Sequence, residues 1–465
     1  MQERLGGPLV RNLAVGIPRQ AMKLHWRSKL IHPAAVAPQG FRSLTVPTYR
    51  GSTTVLPGAA DVSDHWDHTR APYRYGLFGT PTTLELAARI AELEGGKHCF
   101  ITPGGQAAIA LIQMAFLGAG GHVLMPESIY GPNRDLANRM LARFGVDVEF
   151  YDPLMGEGIA TLIRPSTRLI WCESPGSVTM EVQDVPAIAR AARERGVVTA
   201  LDNTYAAGVH FDAFRHGADV TMQALTKYVG GHSDLLLGSV TVREHEHFLR
   251  LGDAHQLLGL GASPDDCSLA LRGLQTLAVR LDQLEHNCLS VASWFSRQQE
   301  IQSVLHPALP SCPGHDLWQR DFTGSSSIFS VVFDPSIAKS TVIAFIDALR
   351  LFKLGYSWGG VTSLVMRFDA PKRVLHGLPQ LVRFNIGLED SRDLIDDLAQ
   401  AFGVIRASPS KRASPSKRAS SSKRASPSKR ASPSKRASPS KRASPSKRAS
   451  PSKRAKRSSR SGRGP

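Results

Sequence analysis

The stretch QALTKYVGGHSD, residues 223–234, carries a lysine, Lys227, directly after residues typical of a buried strand. The preceding run GADVTMQALT (217–226) mixes β-branched and apolar residues over the length of a strand, and Gly230 and Gly231 end the pattern. We therefore predict Lys227 on a turn at the carboxyl end of a strand, where open α/β sheets bind ligands. A lysine shielded from water there suits covalent bonding to an aldehyde. A lone loop lysine is more often a solvated surface residue, so the neighbouring motifs must decide.

A second strand-like run, GVVTALD (196–202), ends in a carboxylate at Asp202. If the aldehyde is pyridoxal 5'-phosphate (PLP), an aspartate must face its ring nitrogen and keep it protonated, because the pyridinium is the electron sink of that cofactor. Asp202 and Lys227 would then serve opposite ends of one ring. An aspartate at a strand end is also often the cap of the following helix.

Two upstream segments fit the remaining parts of such a cofactor. CFITPGGQAAIALIQMAFL (99–117) reads as strand, glycine turn and apolar helix, so the backbone N–H groups of Gly105 and Gln106 could bind a phosphate at the helix start. Tyr130 follows the apolar run HVLM on a predicted turn and could stack on the pyridine ring. Taken alone, the glycine pair has a conformational explanation and a loop tyrosine is more often a packing residue.

In this order, the motifs resemble the cysteine/methionine metabolism family of fold-type I PLP-dependent enzymes, with the greatest similarity to its bacterial beta-lyases. The resemblance covers roughly residues 28–406 and includes several further blocks: CESPGSVTMEVQDVPAI (172–188), LDNTYAAGV (201–209), HPALP (306–310), RDFTGSSSIFS (320–330), GYSWGGVTSL (355–364) and VRFNIGLED (382–390). It implies an α/β fold of the fold-type I PLP-dependent transferase-like class. That fold has a large domain with a mostly parallel sheet and a smaller C-terminal α/β domain.

The resemblance also implies the site residues and their roles. Lys227 would bind the cofactor covalently and move protons, and Asp202 would face the ring nitrogen. The other implied residues are Tyr130 stacked on the ring, Gly105, Gln106 and Thr226 at the phosphate, Arg383 at the substrate α-carboxylate, Ser357 and Trp358 at the substrate, and Tyr75 reaching cofactor and substrate from a neighbouring subunit.

The activity implied is β-elimination of L-cystathionine to homocysteine, pyruvate and ammonia, as in methionine biosynthesis. Ser357 and Trp358 match the beta-lyase pattern SWGG, where relatives that act at Cγ usually have SLGG. ESPGSVTMEV (173–182) also lacks the Asn-Pro that those relatives typically carry after the SP dipeptide. Three alternatives remain open within the family: cystathionine γ-synthase, cystathionine γ-lyase and methionine γ-lyase. A fourth is a non-catalytic protein of this fold that acts through a nucleic-acid-binding tail.

Two positions depart from the family pattern. In its Y-x-R element, a tyrosine and an arginine reach across a dimer interface to cofactor and phosphate; Tyr75 matches the tyrosine, but Leu77 stands where the arginine is expected. Leucine cannot neutralise a phosphate dianion, and Arg70 and Arg74 are the nearby candidates to replace it. Ala224 stands where many γ-class relatives carry a serine, so Thr226 is the remaining hydroxyl there.

The chain of 465 residues is long enough for two or more domains. We predict an N-terminal extension and arm (1–74), a PLP-binding large domain (75–275), a small domain (276–406) and a disordered basic tail (407–465). The tail repeats the hexamer ASPSKR eight times, once as ASSSKR, and its largest apolar residues are alanine and proline.

The net charge of +18 belongs to this tail. It holds 20 of the 57 Lys and Arg and no acid, so the remaining 37 basic residues face 39 acidic ones, a balance of −2. Such a tail is expected to bind polyanions, nucleic acid included, through counterion release. A repeat of this regularity could also arise by slippage in the gene without any function.

The cysteines, the histidines and the lengths of the apolar runs predict a cytoplasmic enzyme. The five cysteines are scattered and odd in number, which suits a reducing compartment. The histidines show no metal-ligand spacing, and no apolar run reaches the ~18 residues of a membrane span. We predict no metal, no membrane partner, a small amino-acid thioether as substrate, and a homodimer as the minimum active unit, with a tetramer expected from the resemblance.

Overall fold

The computed structural model describes residues 25–31, 43–63, 65–67, 69–70, 73–368 and 380–407. Its larger sheet has seven strands in the spatial order β1-β7-β6-β5-β4-β2-β3. The strands are β1 (His98–Thr102), β2 (His122–Pro126), β3 (Asp147–Tyr151), β4 (Thr167–Glu173), β5 (Val198–Asp202), β6 (Val220–Gln223) and β7 (Gly238–Val242).

Five neighbouring strands of this sheet, from β3 to β6, are parallel, and β7 runs antiparallel between β6 and β1. The carboxyl ends of β4, β5 and β6 therefore meet at one edge, which is where ligands bind in sheets of this kind. The mostly parallel sheet predicted from the sequence is confirmed.

Helices connect and cover the strands. In order they are α1 (Trp26–Ile31), α2 (Pro81–Glu94), α3 (Gly105–Phe116), α4 (Gly131–Leu136), α5 (Val185–Arg193), α6 (His245–Leu258), α7 (Pro264–Gln275), α8 (Leu277–Phe295), α9 (His315–Asp321), α10 (Lys339–Asp347) and α11 (Ser391–Ala407). Shorter turns of 3-10 or π-helix lie at Ala59–Asp61, Gly76–Phe78, Ala137–Leu141, Ala142–Phe144 and Gly156–Thr161.

Local sequence signals set several helix ends. α2 begins after Thr80, whose hydroxyl accepts a hydrogen bond from the Thr83 N–H, and Pro81 occupies its first position. It ends at Gly95, which adopts the left-handed conformation with φ 72°. α5 starts in the same way, because the Asp184 side chain accepts from the Ala187 N–H.

A second sheet of five strands follows, in the order β10-β11-β12-β9-β8. Its strands are β8 (Ile301–Leu305), β9 (Ile328–Phe333), β10 (Lys353–Leu354), β11 (Leu364–Phe368) and β12 (Leu381–Asn385). All its pairings are antiparallel except that of β10 with β11. The mixed α/β character expected of this part is therefore present, although the pairing is mainly antiparallel.

The core lies on both faces of the large sheet. Along β4, Leu169 and Trp171 pack into one hydrophobic cluster, and Ile170 and Cys172 pack into the cluster on the opposite face. Because both faces are covered, the strand is a nearly continuous apolar run, as is usual for parallel sheets between helix layers. Glu173, which ends β4 at the carboxyl edge of the sheet, is buried although it is polar.

The predicted tail (407–465) lies outside the described residues apart from Ala407, and so does most of the N-terminal extension. The boundary proposed at residue 275 falls at the end of α7 and stays a prediction. Within the part of the chain that the structure describes, no helix combines the length and the apolar character needed to cross a bilayer.

Candidate active site

Nine of the ten predicted site residues line two adjoining cavities at the carboxyl edge of the large sheet. The first, of about 460 Å³, is bordered by Gly105, Gln106, Tyr130, Asp202, Thr226, Lys227 and Trp358. The second, of about 320 Å³, shares Tyr130, Lys227 and Trp358 with the first and adds Ser357 and Arg383. Gly105 and Arg383, 278 positions apart in the chain, thus border two cavities that both include Lys227 in their lining.

Lys227 lies on the turn after β6, as the sequence predicts. Its Nζ donates a 2.6 Å hydrogen bond to Ser357 Oγ and lies 5.4 Å from the centre of the Trp358 ring. Burial and then the positive charge of Arg383 lower its pKa to about 8, against an opposing effect of Asp202. The amine is therefore neutral in a useful fraction of molecules at mildly alkaline pH, as a nucleophile and a base must be.

The backbone after Lys227 is held by a buried arginine. Arg280, on α8, donates to the carbonyl oxygens of Tyr228 (2.6 Å), Gly273 (2.8 Å) and, at 3.4 Å, Val229. Burial lowers its pKa to about 10, so it remains charged near neutral pH. Gly231 adopts φ 75° and a Cβ there would collide with this guanidinium, which explains a glycine after the lysine turn.

Ser357 and Trp358 lie next to Lys227 on a loop of the small sheet that hydrogen bonds to Asn385 hold in place. The Asn385 side-chain oxygen accepts from the Gly359 N–H and from Ser327 Oγ, both at 2.8 Å. Ser327 Oγ in turn lies 2.9 Å from Tyr228 Oη, next to Lys227. Ser357 itself has φ 85°, a conformation that non-glycine residues rarely adopt. The loop is thus held in an uncommon conformation that directs its hydroxyl to the lysine.

Asp202 ends β5 and is supported by Thr204. Its Oδ1 accepts from the Thr204 N–H (3.0 Å) and from Thr204 Oγ1 (2.5 Å). Burial raises the pKa of Asp202, whereas these hydrogen bonds and Lys227 oppose that rise by favouring the carboxylate. Thr204 Oγ1 also accepts from the Ala224 N–H at 2.9 Å, which joins the Asp202 and Lys227 turns.

The glycine turn before α3 closes the other end of the cavity. A Cβ at Gly105 would lie 2.7 Å from the Ala224 Cβ, so the two backbones approach closely only because residue 105 is glycine. The first N–H groups of a helix have no partner within it, and they are suited to an anion. The hydroxyl of Thr226 instead donates to the Leu237 carbonyl at 3.1 Å, and Gln106 Nε2 donates to the Pro132 carbonyl at 3.1 Å.

Tyr130 and Arg383 border the side of the cavity away from that turn. Tyr130 is the N-cap residue of α4 and remains 39% exposed, which leaves its ring a face toward the cavity. Arg383, on β12, is buried, and its guanidinium lies 4.8 Å from the Phe368 ring centre. Burial lowers its pKa to about 10, so it carries the positive charge that a carboxylate would need.

Tyr75 is the predicted site residue that lines neither cavity. It is 49% exposed and pairs through a backbone bridge with Thr53. Leu77 borders a small apolar pocket of its own chain together with Trp66 and Phe78. A role of Tyr75 at this chain's own lysine is thus not seen, and its predicted role in a neighbouring subunit stays a prediction.

The candidate replacement cations are engaged elsewhere within their own arm. Arg74 Nη1 donates to the carbonyl oxygens of Asp61 (2.9 Å) and Ser63 (2.8 Å). Arg70 Nη1 lies 2.8 Å from His65 Nε2. Neither residue lines the lysine cavity, so the missing cation at position 77 is not replaced from the same chain by either of them.

Three residues of the site were not found from the sequence. Glu173 and Thr204 line the main cavity, and Asn385 anchors the Ser357 loop. Glu173 had a signal, because it ends a buried strand at the same edge as Asp202. Thr204 had a weaker one, since an aspartate commonly accepts from the residue two positions later. Asn385 had none that local sequence could provide.

Among the residues that the structure describes, no group of three or more His, Cys, Asp or Glu side chains is arranged as metal ligands. The donors around Lys227 are instead an amine, a guanidinium, carboxyl groups and backbone N–H groups. That set matches an aldehyde carrying an anionic phosphate and a basic ring nitrogen better than it matches a cation.

The comparison with known proteins agrees with this geometry. Residues 27–403 match the sequence pattern of a family described as Cys/Met metabolism PLP-dependent enzyme. The cystathionine beta-lyase MetC of Escherichia coli K12 is 41% identical over 341 residues, which cover 71% of this chain and 86% of the relative. The cystathionine beta-lyase of Bordetella avium is 40% identical over 372 residues, covering 78% and 92%.

The fold is shared with solved structures. Cystathionine gamma synthase from Xanthomonas oryzae pv. oryzae, in complex with aminoacrylate and cysteine, superposes with a TM-score of 0.77 at 28% identity. The match covers 83% of this chain and all of that chain. The mostly parallel sheet of this chain, with Lys227 at its carboxyl edge, therefore belongs to a fold that is shared with that enzyme.

Proposed function

The chain belongs to the Cys/Met metabolism family of PLP-dependent enzymes, and from that premise we propose that it is a carbon–sulfur lyase acting on L-cystathionine. The reaction is β-elimination: with one water, L-cystathionine gives homocysteine, pyruvate and ammonia. The observation that carries the proposal is the cavity in which Lys227, Asp202, Tyr130 and Trp358 meet, with Arg383 in the adjoining space.

The residues present fit PLP at its aldehyde, its ring nitrogen and its ring face, and in part at its phosphate. Lys227 would hold the aldehyde carbon, Asp202 the ring nitrogen and Tyr130 the ring face, while Gly105 and Gln106 would bind the phosphate. When bound, PLP supplies the electron sink that stabilises negative charge at the substrate Cα. The fit is incomplete at the phosphate, because Leu77 replaces the expected arginine and Thr226 already donates to a carbonyl.

The protein's own groups then account for substrate positioning and proton movement. Arg383 would bind the α-carboxylate of the amino acid by paired hydrogen bonds. Lys227 Nζ would accept the Cα proton, which a pKa lowered to about 8 permits, and Ser357 Oγ would hold that nitrogen in place. Loss of the Cα proton and cleavage of the Cβ–S bond release homocysteine, and the three-carbon remainder leaves as pyruvate and ammonia after water is added.

Trp358 supports a beta-lyase over relatives that act at Cγ. Its ring packs edge-on against Tyr228 at 5.3 Å and borders both cavities, so a leucine at this position would leave a wider pocket. The beta-lyases of E. coli and B. avium are also more similar in sequence to this chain than the X. oryzae gamma synthase, at 41% and 40% against 28%. The γ-class alternatives are therefore not favoured.

The test is the identity of the product. Purified protein with PLP and L-cystathionine should form pyruvate, and the Trp358→Leu variant should form a larger share of 2-oxobutyrate. If the unmodified protein gave 2-oxobutyrate as its main product, the beta-lyase assignment would be wrong. Absence of product together with absence of bound PLP would instead favour a non-catalytic protein of this fold.

Assembly and location are part of the same proposal. A homodimer, and a tetramer built from it, is supported by the exposed Tyr75, which lines neither cavity of its own chain. A cytoplasmic location is supported by the five cysteines, all of which are buried free thiols. Sedimentation of the purified protein tests the first point, and fractionation of the source cells tests the second.

A second role is supported by the charge of residues 407–465, which hold 20 Lys and Arg and no acid. We propose that this segment binds nucleic acid non-specifically, with affinity that falls steeply as salt rises. A gel shift should occur with the full chain and not with a chain ending at Arg406. Equal shifts by both proteins would remove this role and leave the lyase proposal intact.

A further inference from the structure

Two carboxyl groups lie side by side on the floor of the main cavity. Glu173 ends β4 and Asp202 ends β5, and the two residues are direct partners in the parallel register. Partners in register point to the same face of a sheet, and both side chains border the cavity that contains Lys227. The mechanism proposed above uses Asp202 and leaves Glu173 without a role.

The two carboxyl groups are not equally able to hold a negative charge. Asp202 accepts two hydrogen bonds from Thr204 and is close enough to Lys227 for that cation to lower its pKa. Glu173 is buried and accepts one, from the Tyr130 N–H to its Oε2 at 2.7 Å. Burial, followed by the charge of Asp202, raises the pKa of Glu173 well above its usual range.

Two adjacent carboxylates in a buried site cannot readily both be ionised, so such a pair shares one proton. Arg168, the cation on the same strand as Glu173, is exposed at the opposite end of β4 and donates to the carbonyl oxygens of Pro165 and Thr167. The titratable groups that face it are Asp202 from β5, Tyr130 at the start of α4 and Tyr151 from β3, with Lys227 across the cavity. The proton therefore belongs on the residue with fewer hydrogen bonds.

We propose that Glu173 is a positioning residue that carries the proton of this pair, leaves its single negative charge on Asp202, and holds Tyr130 in place through the backbone N–H of that residue. The inference rests on the proposed PLP role of Asp202 and extends it. A neutral Glu173 means that one carboxylate, and not two, faces the ring nitrogen. The tyrosine that would stack on the ring is positioned by the same group.

Infrared spectroscopy of the PLP-loaded protein, without substrate, tests where the proton lies. The carbonyl stretch of a buried protonated carboxyl group, recognised by its shift in D₂O, should be present in the unmodified protein and lose one component in Glu173→Gln. In Asp202→Asn the charge should move to Glu173, so the same component should disappear there as well. Glu94→Gln removes another buried carboxyl group and identifies its separate contribution to the band.

PLP affinity provides the second measurement. Glu173→Gln keeps an acceptor for the Tyr130 N–H and mimics the neutral acid, so its PLP dissociation constant should stay within about twofold of the unmodified value. Glu173→Ala removes that acceptor and should weaken PLP binding about tenfold, as expected for loss of a buried hydrogen bond. An unchanged infrared band in Glu173→Gln, or retention of the component in Asp202→Asn, would overturn the proposal. Neither result involves a substrate, so failure of this inference is distinguishable from failure of the lyase proposal.

Discussion

The amine of Lys227 and the hydroxyl of Ser357 lie 2.6 Å apart, although 130 residues separate them in the chain. The contact joins the turn after β6 to the loop before β11, where Ser357 adopts φ 85°. Backbone strain of this kind is usually retained where it positions a functional group. The lysine is thus oriented by the small sheet as well as by its own turn.

Two substitutions at Ser357 distinguish the effect of its hydroxyl group from the effect of its unfavourable backbone conformation. Ser357→Ala and Ser357→Gly both remove the hydrogen bond to Lys227, and elimination activity should fall about 10- to 100-fold in each, as expected for a hydrogen bond to a charged group. Glycine also relieves the unfavourable φ, so Ser357→Gly should melt at a higher temperature than Ser357→Ala. Equal activity of the unmodified protein and both variants would show that the contact has no catalytic role.

Lys227→Ala should abolish turnover. Loss of both the covalent anchor and the base is expected to reduce the elimination rate by about 10³-fold or more. The circular dichroism spectrum should be unchanged, because the fold does not depend on this side chain. Lys97→Ala, at an exposed lysine, is the matched control; substantial β-elimination by Lys227→Ala would exclude Lys227 as the catalytic lysine.

The lowered pKa of Lys227 predicts how the cofactor-free protein reacts with an aldehyde. The neutral amine is the reactive form, so the rate of reaction with pyridoxal should rise with pH and level off above the pKa of about 8. Arg383 contributes to that lowering, and Arg383→Gln should move the midpoint to higher pH. Arg392→Gln, at an exposed arginine, should leave it unchanged. A midpoint near the usual lysine value in the unmodified protein would contradict the burial described for this amine.

Leu77→Arg should strengthen PLP binding. An arginine at this position would restore the cation that the family pattern supplies to the phosphate, and one charge-assisted hydrogen bond corresponds to about tenfold in affinity. Leu77→Met is the control, since it keeps an apolar side chain of similar size. Equilibrium dialysis of PLP against the assembled protein measures the change, and equal affinities for both variants would mean that residue 77 does not approach a phosphate in the assembly.

The buried carboxyl group of Glu94, whose pKa the charge of Asp202 also raises, makes the free energy of unfolding depend on pH. Glu94 Oε1 accepts a 2.5 Å hydrogen bond from Gln223, and burial raises the pKa of Glu94 to about 8 against the opposing effect of hydrogen bonds from Gln223 and Asn203. A raised folded-state pKa gives stability that is complete below the unfolded value of 4.5 and is lost as pH rises through about 8. The loss corresponds to roughly 3–5 kcal/mol.

Glu94→Gln should remove that loss, because the amide cannot ionise. Its melting temperature should therefore decrease less than that of the unmodified protein between about pH 6 and pH 9, whereas the exposed Glu157→Gln should follow the unmodified protein. Parallel pH profiles of Glu94→Gln and the unmodified protein would show that Glu94 ionises no differently in the folded and unfolded states.

Two site residues, Lys227 and Asp202, could be predicted from the sequence by one rule about parallel sheets. Lys227 and Asp202 both follow strand-like runs, and the rule that ligands bind at the carboxyl edge of a parallel sheet predicts from the sequence that the two residues lie close together. The same rule applies to Glu173, which ends β4 at the same edge and was not singled out from the sequence.

The remaining contacts depend on tertiary structure. Asn385 holds the loop that carries Ser357, and it ends the strand LVRFN with no local sign of that task. Arg280 sits on a long helix where an arginine is usually solvated, yet it is buried against three carbonyl groups. Family resemblance supplied Arg383, whose strand position alone would indicate only a partly buried cation.

Arg280 also has a consequence for how the cofactor is acquired. Its guanidinium restrains the carbonyl groups of Tyr228 and Val229 directly after Lys227, through contacts that involve no cofactor atom. The conformational entropy of that turn, about 1–2 kcal/mol per residue, is therefore lost when the chain folds and not when PLP arrives. Cofactor capture then resembles docking onto a rigid receptor, with rotation of the lysine side chain as the main ordering step, and not folding coupled to binding.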